Sequence, residues 1–119
     1  MTKRVLLLGL TAAVVDDAKQ QLHLPELELL AGNSVDDVRA AFSQADINHV
    51  IMGGGLDLET RLEVVRLAFQ SSDLATIHMK DQRSGPEGFL PFVRSVVVGL
   101  ADYVPELSPN ARLRAQPPT

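Results

Sequence analysis

The chain has 119 residues, 45% of them hydrophobic and 22% charged, with a net charge of -4 and an isoelectric point near 5.2. This length suffices for one domain that buries roughly two-thirds of its unfolded surface. The acidic balance argues against a nucleic-acid partner, which needs clustered lysine and arginine, and the absence of cysteine excludes disulfides, thiolate zinc sites and cysteine nucleophiles.

The apolar run near the amino terminus is too short for a signal peptide, and no small-x-small cleavage site follows it. No stretch approaches the roughly 18 apolar residues that a membrane span requires. The sequence therefore predicts a cytoplasmic protein with no membrane segment.

Strand and helix patterns alternate four times. Short apolar runs predict strands over 5–8, 27–31, 50–53 and 74–79. Amphipathic stretches predict helices over 11–22, from Ser34, from Asp57 or Thr60, and from Pro91 to about Tyr103. We expect one domain over 1–104 and a proline-rich, loosely held tail over 105–119.

The first strand is apolar without alternation, which is typical of a strand that is covered on both faces. Thr76, His78 and Lys80 make the fourth strand more polar, as at the edge of a sheet. Since strands and helices alternate, we predict an α/β fold of three α/β/α layers around a four-stranded parallel sheet, with strand order 2-1-3-4.

Two helices carry recognisable start and packing signals. Ser34 is suited to cap the second helix, where Asp36 and Asp37 complement the helix dipole in the first turn. In the third helix, apolar residues recur at helical spacing and predict a buried face. This face comprises Leu58, Leu62, Val65 and Phe69.

Three glycines follow the third strand, next to an acidic residue that is suited to start a helix. Glycines permit positive φ angles and close approach of a ligand, and their amides beside a helix start could bind a phosphate or carboxylate. They could equally serve only to form a tight turn. With the predicted strand order, the turn after the first strand faces them across one crevice. The candidate ligand-binding residues are Gly9, Thr11, Gly53, Gly54, Gly55, Asp57 and His78.

Asp57 and His78 have alternative roles. Asp57 could act only as a helix cap, or it could face the crevice, where it would repel an anion and favour a ribose hydroxyl, a cation or a metal. His78 is the one histidine near the end of a strand that approaches the crevice, although an edge-strand histidine is often a surface residue.

Common cofactor motifs are missing from the sequence. Only Gly9 is present where a dinucleotide-binding turn needs three glycines, and no acidic residue ends the second strand. The chain has no nucleotide phosphate loop, no paired histidines at zinc-ligand spacing and no serine elbow. The cofactor therefore stays unknown, with no standard NAD, P-loop or zinc motif.

The last helix is apolar around most of its circumference. Deep burial would explain this pattern, and so would a surface between two subunits. We expect a homodimer in which this helix forms the interface. The candidate interface residues are Phe92, Val93, Val96, Val97 and Leu100.

The order of elements resembles a flavodoxin-like domain of the response-regulator receiver type, shortened by one strand–helix unit. Receivers carry paired acidic residues after the first strand and a phosphorylated aspartate at the end of the third. Here Gly9-Leu10-Thr11 replaces the acidic pair and Gly53 occupies the aspartate position, so phosphoryl transfer is not supported. The layout over 50–79 is also similar to short bacterial Rossmann-like proteins of unassigned function, which implies a fold and no chemistry.

Three functions are compatible with these patterns. The first is non-catalytic binding of a phosphate-bearing or carboxylate small molecule in the crevice, which Gly54→Val should abolish while sparing the fold. The second is a receiver-like interaction module that acts through the last helix and should fail when Val97 becomes charged. The third is an enzyme that uses Asp57, His78, Lys80 or Asp81 as acid or base.

Overall fold

A computed structural model of the protein describes residues 3–22, 24 and 26–100. The strands are β1 (Lys3–Leu8), β2 (Leu27–Gly32), β3 (His49–Met52) and β4 (Thr76–Met79). The helices are α1 (Ala12–Gln21), α2 (Val35–Gln44), α3 (Leu58–Ser71) and α4 (Phe89–Leu100), and a 3₁₀ turn over Pro86–Gly88 precedes α4. The tail predicted over 105–119, and the predicted end of the last helix near Tyr103, lie outside the described residues.

The four strands form one parallel sheet in the order β2-β1-β3-β4. This confirms the predicted α/β class and strand order. β1 pairs with β2 on one side and β3 on the other, and its residues from Val5 to Leu8 are fully buried. A strand that is covered on both faces has no polar side, which explains its continuous apolar sequence.

Alternate residues of the central strands point into two separate cores. Val5, Leu7 and Ile51 pack against buried residues of α1 and α4 on one face of the sheet. On the other face, the neighbouring residues of these strands pack against α2 and α3. Each fully buried side chain of this kind contributes roughly 1.5–3 kcal/mol through the hydrophobic effect. The result is the predicted three-layer α/β/α arrangement.

Two of the helices begin with a capping side chain. The Ser34 hydroxyl accepts a hydrogen bond from the Asp37 amide at 3.2 Å, as predicted. The Asp57 carboxylate accepts one from the Thr60 amide at 2.7 Å, so α3 begins directly after Asp57. Each bond satisfies one of the free amides of a first helical turn.

The predicted buried face of α3 is wrong. Leu58, Leu62 and Phe69 are 65%, 50% and 54% exposed, whereas Val64 and Ala68 are fully buried. The two buried residues are one helical turn apart and small, so the helix can pack close to the sheet. The larger apolar side chains then project sideways from α3.

Helix α4 contributes three residues to the interior, Phe89, Val93 and Val97. Val93 and Val97 are fully buried against the sheet and α1. The other three residues of the predicted subunit interface are partly accessible, namely Phe92, Val96 and Leu100. The homodimer itself stays a prediction.

None of the helices within the described ranges is both long and apolar enough to cross a membrane.

Candidate functional site

A cavity of about 210 Å³ lies at the carboxyl ends of β1 and β3. Its walls come from the turn after β1, the glycines after β3, the loop after β4 and the start of α4. The chain leaves β1 toward one face of the sheet and β3 toward the other, which opens a crevice between the two turns. The cavity therefore lies where open parallel sheets bind their ligands.

Five of the seven predicted site residues line this cavity. They are Gly9, Thr11, Gly53, Gly54 and Gly55. Asp57 and His78 are not among its lining residues. The strand order thus brings the two predicted turns together, but it does not bring the two titratable candidates to them.

Close packing, rather than a special backbone conformation, explains the glycines. Within the described residues, only Gly85 has a positive φ angle. A β-carbon on Gly9 would lie 2.7 Å from Cγ2 of Val15, and one on Gly54 would overlap the carbonyl oxygen of Asp81. These turns need glycine because neighbouring atoms occupy the side-chain position.

Gly54 therefore cannot be replaced without moving the loop after β4. The valine substitution that the sequence suggested as a probe of the ligand site would displace the Asp81–Gln82 backbone. Its expected sparing of the fold is wrong, and a different variant is needed to test binding.

Two backbone amides at the cavity have no acceptor among the residues that the structure describes. The Gly53 amide donates to the carbonyl of Leu8 at 2.8 Å. The amides of Gly54 and Gly55 donate to no acceptor in the described part of the chain. Such amides can donate to an anion, as they do in phosphate-binding turns.

Helix α1 also presents its amino terminus to the cavity. Thr11 and Val14 line it, and the Thr11 side chain makes no capping hydrogen bond. The first turn of α1 carries no acidic residue, in contrast to those of α2 and α3. The partial positive charge at this helix end is therefore not compensated by a side chain of the helix itself.

Lys80 brings a buried cation to the same cavity. It follows β4 directly and is only 4% exposed. Its Nζ atom donates to the Asp81 carbonyl at 3.0 Å and lies 3.8 Å from an Asp81 carboxylate oxygen. An ammonium group has three donors, and burial is costly when they are left unmatched. This residue can therefore donate further hydrogen bonds to an anion.

Other lining residues of the cavity are apolar. Leu10, Val14, Pro86 and Phe89 contribute to its lining. Phe89 opens α4 and is itself buried, with its ring 3.2 Å from the position of a Gly53 β-carbon. The cavity thus combines an apolar wall with a cation and free amides.

Asp57 has a structural explanation. Its carboxylate is exposed and accepts the hydrogen bond that begins α3. Hydrogen bonding from Thr60, chiefly from its side chain and then from its amide, lowers the pKa of Asp57 below its usual value. The position fits the capping alternative.

His78 belongs to a second polar cluster on the strands. Nδ1 of His49 lies 2.6 Å from the Thr76 hydroxyl, and that hydroxyl lies 2.9 Å from Nε2 of His78. Burial lowers the pKa of both histidines, and Lys3 lowers that of His49 further. The buried Nε2 of His49 has no hydrogen-bond partner among the residues that the structure describes. The sequence analysis missed this cluster, although strand pairing of 49 with 76 would have indicated it.

No group of three or more histidine, cysteine, aspartate or glutamate residues in the described part of the chain could hold a metal ion.

The sequence analysis named Lys80 as a polar residue of the fourth strand and as a candidate acid or base, without recognising that it is buried. The loop residues Gln82, Gly85 and Pro86, which complete the cavity, were also missed. A lysine directly after a parallel strand was the available signal, because that position lies at the carboxyl edge of the sheet.

Comparisons with known proteins give no family for this chain. No protein-family model matches it, and neither the curated proteins nor the solved structures contain a significant match.

Proposed function

We propose that this protein binds a small molecule that carries one anionic group, a carboxylate or a phosphate, on an apolar body. The observation that carries the proposal is the buried ammonium of Lys80 in the same cavity as the free amides of Gly54 and Gly55. The anion would bind to these donors, and the uncapped end of α1 would add a favourable dipole.

The apolar wall and the size of the cavity limit the rest of the ligand. Ligand pockets typically enclose about 300–1,000 Å³, and the volume of about 210 Å³ is smaller. Among the described residues, no carboxylate lines the cavity to accept hydrogen bonds from a ribose. A short aliphatic or aromatic acid, or a small phosphate ester, fits these features better than a nucleotide.

The proposal is one of binding and assigns no reaction. The titratable side chain among the described lining residues is that of Lys80, and no carboxylate or histidine accompanies it there. General acid–base chemistry usually needs a second group within hydrogen-bond reach of the substrate. The homodimer and the cytoplasmic location stay predictions.

A second candidate function is that of a protein-interaction module. The observation that favours it is the group of exposed apolar side chains on α3, Leu58, Leu62 and Phe69. The candidate interaction surface is then on α3 and not on α4, whose Val93 and Val97 are interior. The two helices lie on opposite faces of the sheet.

A thermal-shift screen tests the ligand proposal. The panel contains benzoate, hexanoate, phenyl phosphate, inorganic phosphate and AMP. A ligand at about 100 times its dissociation constant adds roughly 2.7 kcal/mol to the free energy of unfolding, or several degrees for a chain of this size. We expect the acids with an apolar body to raise the melting temperature more than inorganic phosphate or AMP does.

Lys80→Met is the variant that identifies the site, because it removes the charge and keeps an apolar stem. The matched control is Lys19→Met, on the exposed side of α1. Loss of the ligand shift in Lys80→Met alone would support the proposal. An equal shift in both variants, or a panel without any shift, would refute it.

A further inference from the structure

Four apolar residues form a continuous stripe along α3, which we call the α3 stripe. It comprises Leu58, Leu62, Val65 and Phe69. Their spacing of four, three and four residues is that of the interface positions of a coiled coil. Three of the four side chains are at least half exposed. Surface helices of monomeric proteins normally turn such a row of apolar side chains toward the core.

The α3 stripe faces the open edge of the sheet. Val64 and Ala68 point at the sheet, and successive residues are offset by about 100° around a helix, so the stripe lies roughly a third of a turn away. Helix α2 packs along one side of α3. Because parallel crossovers are right-handed, β4 and the open edge of the sheet lie under the other side of α3, toward which the stripe is turned.

Strand β4 is also open on this side. It pairs with β3, and within the described residues nothing pairs with its other edge. The strand contains no proline, glycine or lysine of the kind that protects exposed edges from pairing. Met79, at the end of β4, and Leu74, just before it, extend the exposed apolar surface along the edge.

The charges beside the α3 stripe are complementary to those of a second, antiparallel copy. Glu59 and Arg66 lie seven residues apart along the same margin of the stripe. Neither forms an ion pair in the described part of its own chain. When two α3 helices align antiparallel, so that Leu58 meets Phe69 and Leu62 meets Val65, Glu59 of each copy lies beside Arg66 of the other. Charges at these flanking positions set partner and orientation in coiled coils.

We propose that the α3 stripe and the free edge of β4 form a two-fold interface with a second copy of this chain. A two-fold axis perpendicular to the sheet makes both the β4 strands and the α3 helices of the two copies antiparallel. The two sheets then join into one of eight strands, and the two α3 helices pack side by side over the junction. This interface uses none of the residues that line the ligand cavity, and it lies on a different helix from the dimer surface that the sequence suggested.

Charge reversal tests this interface by sedimentation equilibrium of the full chain. Glu59→Arg places two like-charged pairs across the interface, and so does Arg66→Glu. We expect each single variant to weaken the dimer at least about tenfold. An equimolar mixture of the two variants should restore association, because in the mixed dimer each arginine of the first variant lies beside a glutamate of the second. The matched control is Asp16→Arg on α1, which should dimerise as the unmodified chain does.

Leu62→Glu provides a second probe, because it buries a charge in the middle of the proposed interface and its side chain is exposed in the single chain. Its matched control is Val98→Glu, an exposed apolar position on α4. We expect Leu62→Glu to be monomeric and Val98→Glu to dimerise. A chain that is monomeric at all concentrations would overturn the proposal, as would a dimer that survives charge reversal and Leu62→Glu.

Discussion

At the scale of single residues, Thr76 joins two histidines of neighbouring strands. A hydroxyl has one proton to donate and can also accept, so Thr76 can donate to one imidazole and accept from the other. Both contacts can be satisfied at once with neutral rings. Protonation of His49 would place a second charge near Lys3 and in a buried position.

This cluster predicts acid sensitivity of the fold. In the folded protein, the pKa values of His49 and His78 are lowered from 6.5, mainly by burial. Between 6.5 and the lower folded values, the unfolded chain binds more protons than the folded one. The contribution of these two histidines to the free energy of unfolding should therefore be steady above about pH 6.5, decrease from there toward the folded pKa values, and level off below them.

Urea unfolding at pH 7.5, 6.5 and 5.5 measures this dependence. We expect the double variant His49→Gln/His78→Gln to be less stable at pH 7.5 but to lose less stability between pH 7.5 and 5.5. An unchanged loss in this variant would show that other groups cause the sensitivity.

Substitution by alanine should have opposite effects on the free energy of unfolding at two glycines. Gly54→Ala should lower the free energy of unfolding by about 1–3 kcal/mol, because the added β-carbon overlaps the Asp81 carbonyl oxygen. Gly99→Ala should raise it by about 0.5–1 kcal/mol, because the position is helical and no atom of the described residues lies within 4 Å of the added β-carbon. Chemical denaturation of the two variants checks both values, and a destabilised Gly99→Ala would contradict the helical conformation there.

At the scale of elements, the three helices that follow β1, β2 and β3 differ at their amino termini. α2 and α3 have capping side chains and acidic first turns, whereas α1 has neither. Only α1 of these three contributes its first turn to the cavity. A side-chain anion at this end would stabilise the helix, but it would occupy the place of a bound one.

Thr11→Asp should therefore separate stability from binding. We expect the free protein to become more stable by about 0.5–1 kcal/mol, because aspartate caps the helix. Its affinity for an anionic ligand should fall at least about tenfold through charge repulsion and competition for the amides. Calorimetric titration and urea unfolding measure the two effects, with Ser34→Ala as a control that loses about 1 kcal/mol of stability and keeps its affinity. A gain in affinity in Thr11→Asp would contradict the assignment of the site.

Much at this scale followed from the sequence, for physical reasons. The uniform apolarity of β1 indicated a central strand, and the polarity of β4 indicated an edge strand. The strand order expected for such folds then placed the turns after β1 and β3 side by side. The buried face of α3 did not follow, because pattern alone favours the larger side chains, whereas close packing against the sheet selected Val64 and Ala68. The burial of Lys80 did not follow either, since it depends on how the loop before α4 folds over it.

At the scale of the whole molecule, the two proposed surfaces lie at different places on one sheet. The ligand cavity is at the carboxyl ends of β1 and β3, whereas the proposed interface runs along β4 and α3. Strand β4 connects them, because Lys80 follows its last residue and its amide donates to the Met52 carbonyl at 2.9 Å. Pairing of β4 with a second copy would therefore restrict the movement of the strand that positions the buried Lys80 ammonium.

The most direct measurement of the central claim is an NMR titration of the full chain with benzoate, observing the backbone amides. We predict saturable shifts at Gly54, Gly55 and the first turn of α1, and the absence of these shifts in Lys80→Met, while Lys19→Met behaves as the unmodified chain. Shifts that persist in Lys80→Met, or that arise only away from the cavity, would contradict the claim that Lys80 and the glycine amides bind an anion together.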